Sequence, residues 1–265
     1  MVTQMNRYDK EERIIQTFQD LKRWRIKIFP LNFNNILLYR LIHNKLLWKT
    51  WTDASSKNAL PPDFYNNKFK LMMDVMRIDD HTFVDKNGRV INRHNERESQ
   101  ITKQLIDKNK AIKEIAEAGN LFINPYCGLE GHDDHNYKLY VDNFKRVIEK
   151  HIQKIEKYKN NHPGFKTIFF VFDESTPYIK LIDCEVPKGP GELMKGDLHC
   201  WWKDSNMLNI LKDSNIDYLI WITPFKIFKS IPKVRYPLAV IYDVSKIKFN
   251  KNIKYELDEL ESLER

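Results

Sequence analysis

The chain has 265 residues, enough for one large domain or two small ones, and its 42% apolar content allows a sizeable core, which excludes global disorder. No apolar run approaches the roughly 18 residues that span a bilayer, and the start of the chain lacks the apolar segment of a signal peptide. We therefore expect a cytoplasmic protein without a membrane partner. The net charge is +8, of which residues 1–50 supply +6, since they hold ten Lys or Arg against four Asp or Glu.

Two helices are predicted to open the fold, over about residues 9–27 and 34–49. In the first, Ile14, Phe18, Leu21 and Trp24 or Arg25 recur at helical spacing, and the second repeats the pattern with a wide apolar face. Pro30 separates the two helices.

The basic excess of the N-terminal region is concentrated around residues 22–27. A cationic patch of this kind attracts nucleic acid by neutralising phosphates, but it is equally typical of a solvated face or of a site for an acidic protein partner. The residues that we expect to contact nucleic acid are Lys22, Arg23, Arg25 and Lys27.

Strands are predicted from residue 68 onwards. The run KFKLMMDVMRI, residues 68–78, is apolar and of strand length, which favours a central buried strand. It is followed by TFVDKNGRVI, which predicts a hairpin with Asn87 and Gly88 in the turn.

The second half of the chain alternates helical and strand patterns. Helices are predicted over about 95–118, 137–159 and 206–212, and strands over 121–126, 167–172, 217–225 and 236–244. Such alternation indicates an α/β fold in which helices flank a mixed sheet. No linker or repeat marks a boundary, so residues 1–265 are expected to form a single compact unit; their oligomeric state stays open.

The chemistry begins at Asp74, a carboxylate inside the apolar run LMMDVM. Its burial costs several kcal/mol unless it is paired, protonated or bound to a cation. Asp63 stands eleven residues earlier, in PPDF, and the alternation along the strand predicts that Lys70 and Asp74 share one face. Two carboxylates from neighbouring strands and a lysine would hold Mg²⁺ or Mn²⁺ and orient a water. The alternatives are a turn role for Asp63, a buried ion pair for Asp74 and a solvated Lys70.

The residues Pro62-Asp63 and Asp74-Val75-Met76 resemble the PD-(D/E)xK nuclease superfamily. In that superfamily a helix, a β-hairpin and a further helix and strand present two acids and a lysine to a divalent metal. The resemblance covers residues 9–125 and implies a restriction-endonuclease-like core and a metal-dependent nuclease, active or degenerate. Met76 stands where the family has lysine, so activity would need a displaced lysine such as Lys70.

The resemblance also implies an acid on the first helix. Glu11 precedes Ile14, Ile15 and Phe18 by three, four and seven residues, which places it on the inward face. The alternative for Glu11 is a helix N-terminal acid, stabilised by the helix dipole.

Two downstream constellations contain similar side chains. Asp173 and Glu174 end a predicted strand, where sheet-based sites commonly lie, and Asp183, Glu185 and Lys188 follow them. The second constellation is metal-capable but precedes a helix, so capping is the expected role; it comprises His132, Asp133, Asp134 and His135. The same loop role is expected of Asp79, Asp80 and His81.

Aromatic and basic residues of the C-terminal third suggest a second function class, a non-enzymatic protein that binds nucleic acid or a protein partner through stacking. Trp221 is expected in the core and Trp201-Trp202 half exposed. The other members of the set are Phe225, Phe228, Lys203, Lys226 and Lys229. No GxxxxGK loop or GxSxG motif occurs, which argues against an ordinary NTPase or serine hydrolase. The three cysteines, Cys127, Cys184 and Cys200, are expected to be reduced and mostly buried.

Overall fold

A computed structural model describes residues 11–55, 62–108, 135–181, 196–226, 236–249 and 251–263. Its helices are α1 (Glu11–Gln19), α2 (Phe33–His43), α3 (Lys45–Trp48), α4 (Arg93–Lys108), α5 (Tyr137–Ile152), α6 (Ile155–Asn161) and α7 (Ser205–Leu208). Short 3₁₀ turns are formed by Arg23–Arg25, Trp201–Lys203, Asn209–Leu211 and Val244–Phe249.

The strands belong to three sheets. The main sheet contains β1 (Ile26–Phe29), β2 (Thr52–Asp53), β3 (Phe64–Asn66), β4 (Leu71–Ile78), β7 (Lys166–Asp173), β10 (Tyr218–Ile222) and β11 (Ala239–Asp243). A two-stranded hairpin is formed by β5 (Thr82–Val84) and β6 (Val90–Asn92), and a three-stranded sheet by β8 (Tyr178–Leu181), β9 (Gly196–Leu198) and β12 (Leu260–Ser262).

The main sheet has the order β1-β11-β10-β7-β4-β3-β2, and its strand directions are mixed. β4 and β10 both run parallel to β7, whereas β3 is antiparallel to β4 and β11 is antiparallel to β10. The carboxyl ends of β4, β7 and β10 therefore meet at one edge of the sheet. This arrangement confirms the predicted mixed α/β class.

Each face of the sheet is covered by helices. Side chains of β4 alternate between the faces: Met76 and Ile78 join a cluster with α5, and Leu71 and Met73 join a cluster with α1 and α2. β4 lies inside the sheet and is buried, as the apolar run predicted. Asp74 shares the face of Met76, so it points toward α5.

The predicted first helix is wrong over its second half. The helix ends at Gln19, and Ile26–Phe29 forms β1, parallel to β11. Ile26 and Ile28 are buried and alternate with Lys27, which is the two-residue period of a strand rather than the helical period. Trp24, assigned to the inward face as one of two choices, is 54% exposed.

The other predicted elements agree more closely with the structure. The hairpin around Gly88 is present, and its glycine has a positive φ of 75°, as a tight turn favours. The helix predicted at 137–159 is interrupted between α5 and α6. The predicted strand 121–126 and the end of the helix predicted at 95–118 lie outside the described residues. Among the described helices, none has the length and apolar character to cross a membrane.

Candidate functional site

Asp63 and Asp74 face each other across two neighbouring strands. The antiparallel register pairs Phe64 with Met73, so the preceding residue, Asp63, stands opposite Asp74. Their carboxyl groups are close enough for Asp74 to raise the pKa of Asp63. The backbone N–H of Val75 donates to Asp63 Oδ2 at 2.7 Å, which fixes the orientation of the Asp63 carboxyl group. The structure thus brings together the two acids that the sequence singled out.

The electrostatics of this pair favour a proton between the two carboxyl groups. Burial and the adjacent Asp74 raise the pKa of Asp63 to about 7, and the negative charge of Glu11 adds to the effect. Glu11, at the start of α1, is half-buried. Like charges this close cannot both be ionised at low cost without a cation.

Helices α5 and α6 supply the other contacts of Asp74. The hydroxyl of Tyr158 donates to Asp74 Oδ2 at 2.8 Å, and Nδ1 of His151 hydrogen-bonds to the same oxygen. Asp74 and Tyr158 are buried, whereas His151 is partly exposed. Sequence reasoning missed His151, because it lies 77 residues from Asp74 and nothing local marks it.

Lys70 does not join the pair, and the prediction that it shares the strand face of Asp74 is wrong. It precedes β4 in an exposed turn with a positive φ of 49°, and its carbonyl accepts the N–H of Lys166 at 2.8 Å. Four residues of strand separate it from Asp74, about 13 Å. Met76, which stands where the resemblance would require a lysine, is in the core.

The basic residues of the N-terminal region differ in their exposure. Lys22 and Arg23 are exposed, and the Arg25 guanidinium lies 4.1 Å from the centroid of the exposed Trp24 ring. Lys27 is half-buried, with its ammonium 4.5 Å from the centroid of the Trp202 ring.

The predicted stacking surface of the C-terminal third is wrong. Trp201 and Trp202 are buried rather than half exposed, and Trp221 is in the core as expected. Lys226 is buried as well, and of this set Phe225 is exposed. Phe228 and Lys229 lie outside the described residues.

Of the three cysteines, Cys200 lies in the described part of the chain, where it is reduced and half-buried. Cys127 and Cys184 lie outside the described residues.

A second group with metal-binding side chains lies beyond the carboxyl end of β4. Asp80 Oδ1 is 3.3 Å from His135 Nδ1 and 3.4 Å from His81 Nε2, and the two imidazole rings are 4.4 Å apart between centroids. Burial opposes ionisation of Asp80, but the hydrogen bond from His135 and the neighbouring imidazoles outweigh it and lower the pKa of its carboxyl group. The sequence predicted only loop or capping roles for Asp80, His81 and His135, and did not predict that the three side chains meet. His132, Asp133 and Asp134 lie outside the described residues.

The acids that end β7 are engaged in structural contacts. Glu174 makes a bidentate pair with Arg77, at 2.9 and 2.8 Å. Asp173 is buried and accepts hydrogen bonds from Tyr140, from Trp221 at 3.0 Å and from the Lys226 ammonium at 3.2 Å. The predicted partners Asp183, Glu185 and Lys188 lie outside the described residues.

Comparisons with known proteins identify no relative. Neither a protein-family model, nor a curated protein, nor a solved structure matches the chain.

Proposed function

We propose that this chain is a metal-dependent, nuclease-like phosphodiesterase that acts on nucleic acid, with Asp63 and Asp74 as ligands of Mg²⁺ or Mn²⁺. The observation that supports it is the position of the two carboxyl groups, opposite each other where β3 and β4 pair and close enough for Asp74 to raise the pKa of Asp63. A divalent cation would replace the shared proton and relieve the repulsion between the carboxylates. Carboxylate oxygens are the ligands that these hard cations prefer.

α1 carries Glu11, and the β3–β4 hairpin places Asp63 opposite Asp74, as the resemblance implies for a first helix and a hairpin. The helices that contact Asp74, α5 and α6, lie beyond residues 9–125. A metal ion bound here would polarise a phosphoryl oxygen and lower the pKa of a bound water.

Met76 stands where the resemblance would require a lysine, and its side chain cannot act as a base. We assign the role of general base to His151. Its Nδ1 contacts Asp74, and a partly exposed histidine oriented by a carboxylate has the side chain most often used as a general base. Asp74 would hold the ring in place, and Tyr158 would hold Asp74.

The test is metal binding and cleavage by the parent protein and by Asp63→Asn and Asp74→Asn. Calorimetry with Mn²⁺ should show saturable binding to the parent and a loss of at least about tenfold in affinity in each variant. Labelled DNA and RNA, each single- and double-stranded, should be cut in the presence of Mg²⁺ or Mn²⁺ and left intact with a chelator. Asp20→Asn, at an exposed carboxylate paired with Lys45, is the matched control and should behave as the parent.

A specific observation favours one other function, a non-enzymatic protein that binds nucleic acid or an acidic protein partner. Exposed Lys22 and Arg23 flank the exposed Trp24, whose ring stacks with Arg25. Two results together would favour this binding function over the phosphodiesterase. Mn²⁺ would fail to bind at Asp63 and Asp74, and replacing Lys22 and Arg23 with Gln would weaken nucleic-acid binding and flatten its salt dependence.

A further inference from the structure

The group Asp80, His81 and His135 is assembled from two distant parts of the chain. Asp80 and His81 follow the carboxyl end of β4, at the edge of the sheet where β7 and β10 also end. His135 directly precedes Asn136, whose side chain caps α5. One ligand atom from each residue lies within 4.8 Å of the other two. Six residues, or at most about 20 Å of chain, separate Asp80 from Asp74.

The distances within the group suit a bound cation. Asp80 Oδ1 is 3.3 Å from His135 Nδ1, which is a long hydrogen bond, and 3.4 Å from His81 Nε2. Donor atoms about 2.05 Å from a tetrahedral Zn²⁺ are about 3.3 Å from each other. The two separations from Asp80 Oδ1 therefore agree with ligands of one ion, and the two imidazole nitrogens lie within 4.8 Å of each other.

The carboxylate is held in place by neighbouring donors. Asp80 Oδ2 accepts hydrogen bonds from the N–H and the hydroxyl of Thr176, both at 3.0 Å, and from the hydroxyl of Tyr178 at 2.7 Å. These contacts turn Oδ1 toward His81 and His135. Outer partners that orient a ligand in this way are typical of metal sites in proteins.

Accessibility also differs across the group. The side chain of Asp80 is fully buried, while those of His81 and His135 are 11% and 12% exposed. A metal ion can therefore enter from the imidazole side. Within the described part of the chain, these residues would supply three of the four ligands of a tetrahedral Zn²⁺ ion.

We propose that Asp80, His81 and His135 form a binding site for a divalent transition-metal ion of the Zn²⁺ type. Two imidazole nitrogens and one carboxylate favour Zn²⁺ or Co²⁺ over Mg²⁺, which prefers oxygen ligands alone. The site is separate from Asp63 and Asp74 in position and in ligand chemistry, and it does not depend on the phosphodiesterase proposal.

The experiment is a titration of the chelator-treated, untagged full chain with Co²⁺, followed by visible absorption, and then displacement of Co²⁺ by Zn²⁺. The parent should develop the intense d–d bands of a low-coordinate Co²⁺ site at a stoichiometry of one. His135→Gln and His81→Gln should each weaken Co²⁺ binding by at least about tenfold, the size of loss that even an outer partner produces. Circular dichroism should show that both variants are folded.

Two control variants make the result specific. His162→Gln removes a partly exposed histidine whose ring lies between Tyr65 and Phe165, and it should leave Co²⁺ binding unchanged. Asp74→Asn should also leave it unchanged, so that failure of one site is distinguishable from failure of the other. Absence of a saturable Co²⁺ spectrum in the parent, or parent-like affinity in both folded His→Gln variants, would overturn the proposal.

Discussion

A single pair of facing acids, Asp63 and Asp74, carries the phosphodiesterase proposal. The folded protein favours the protonated form of Asp63, since burial and Asp74 raise its pKa to about 7 from an ordinary value of 3.8. Between these two pH values the folded state binds more protons than the unfolded state. The contribution of this group to stability is thus largest at low pH and is lost as the pH rises through about 7.

Asp63→Asn should remove this pH dependence in the metal-free protein. The side-chain oxygen of Asn can still accept the N–H of Val75, and its amide can donate to Asp74 as the shared proton does. We expect the variant to match the parent at pH 5 and to be more stable at pH 8, by about 2 kcal/mol. The pKa of Asp63 shifts by about three units, and solvent screening at this partly exposed carboxyl group reduces the effect of that shift on stability. Urea unfolding at both pH values, with a chelator present, measures the difference.

The exposed carboxylate of Asp20 again provides the comparison. Asp20→Asn should change stability by less than about 1 kcal/mol at either pH. Equal destabilisation of Asp63→Asn at pH 5 and pH 8 would show that Asp63 is ionised throughout and that the pair holds no proton.

Individual site residues differ in how well the sequence predicts them. Asp74 could be identified because a carboxylate in a strongly apolar strand needs a partner, and Asp63 because it lies one hairpin away. Lys70 was misplaced, since strand alternation does not extend into a turn with positive φ. The contacts of Asp74 with His151 and of Asp80 with His135 join residues 77 and 55 positions apart. No local pattern encodes such contacts.

At the scale of elements, length decides what the sequence predicts. β4 and β7 each have eight residues, and their apolar runs marked them clearly. β9 and β12 have three residues each, too few for a period to be visible, and neither was predicted. β1 was mistaken for helix because it follows α1 after a few residues without a glycine or proline between them.

Gly196 of β9 gives a prediction for the small sheet. A Cβ atom at this position would overlap the carbonyl oxygen of Lys180 in β8 and lie 2.8 Å from Ile179 Cγ1. Because the Lys180 oxygen is backbone, the two strands would have to separate. Gly196→Ala should therefore lower the free energy of unfolding by about 3 kcal/mol, measured by urea denaturation.

Gly88 offers a matched glycine in the β5–β6 hairpin. A Cβ atom there meets nothing within 4 Å, and the cost of Gly88→Ala comes from its positive φ alone, about 1 kcal/mol. If Gly196→Ala costs no more than Gly88→Ala, the close approach of β8 and β9 does not exist in solution.

The whole molecule brings charges together that no single element contains. Because β4, β7 and β10 run parallel, the residues beyond their carboxyl ends meet, and Asp80, Asp173 and Lys226 are all fully buried there. Burial lowers the pKa of the Lys226 ammonium, and Asp173 and Asp80 oppose that effect. Periodicity predicted the mixed sheet, but not this network, since it depends on strand order, which the sequence pattern does not specify.

The coupling between Asp173 and Lys226 can be measured by a double-mutant cycle. Lys226→Met keeps most of the side-chain volume but removes the cation beside Asp173, which retains its hydrogen bonds from Tyr140 and Trp221. An uncompensated buried charge should lower the free energy of unfolding by about 3 kcal/mol. In Asp173→Asn/Lys226→Met neither charge remains, so the double variant should be more stable than the sum of the single losses predicts, by at least about 1 kcal/mol.

An ion pair at the surface is the control for that cycle. Lys254 and Glu256 are 3.7 Å apart, and their side chains are about 70% exposed. The cycle of Lys254→Met and Glu256→Gln should give a coupling well below 1 kcal/mol, because water screens the pair. Urea unfolding of all seven proteins, the shared parent and three variants of each pair, at one pH supplies both couplings. If the coupling between Asp173 and Lys226 is as small as the surface value, the Lys226 ammonium does not compensate the buried carboxylate. The charge of Asp173 is then stabilised by its other hydrogen-bond donors, which are Tyr140, Trp221 and Ser175.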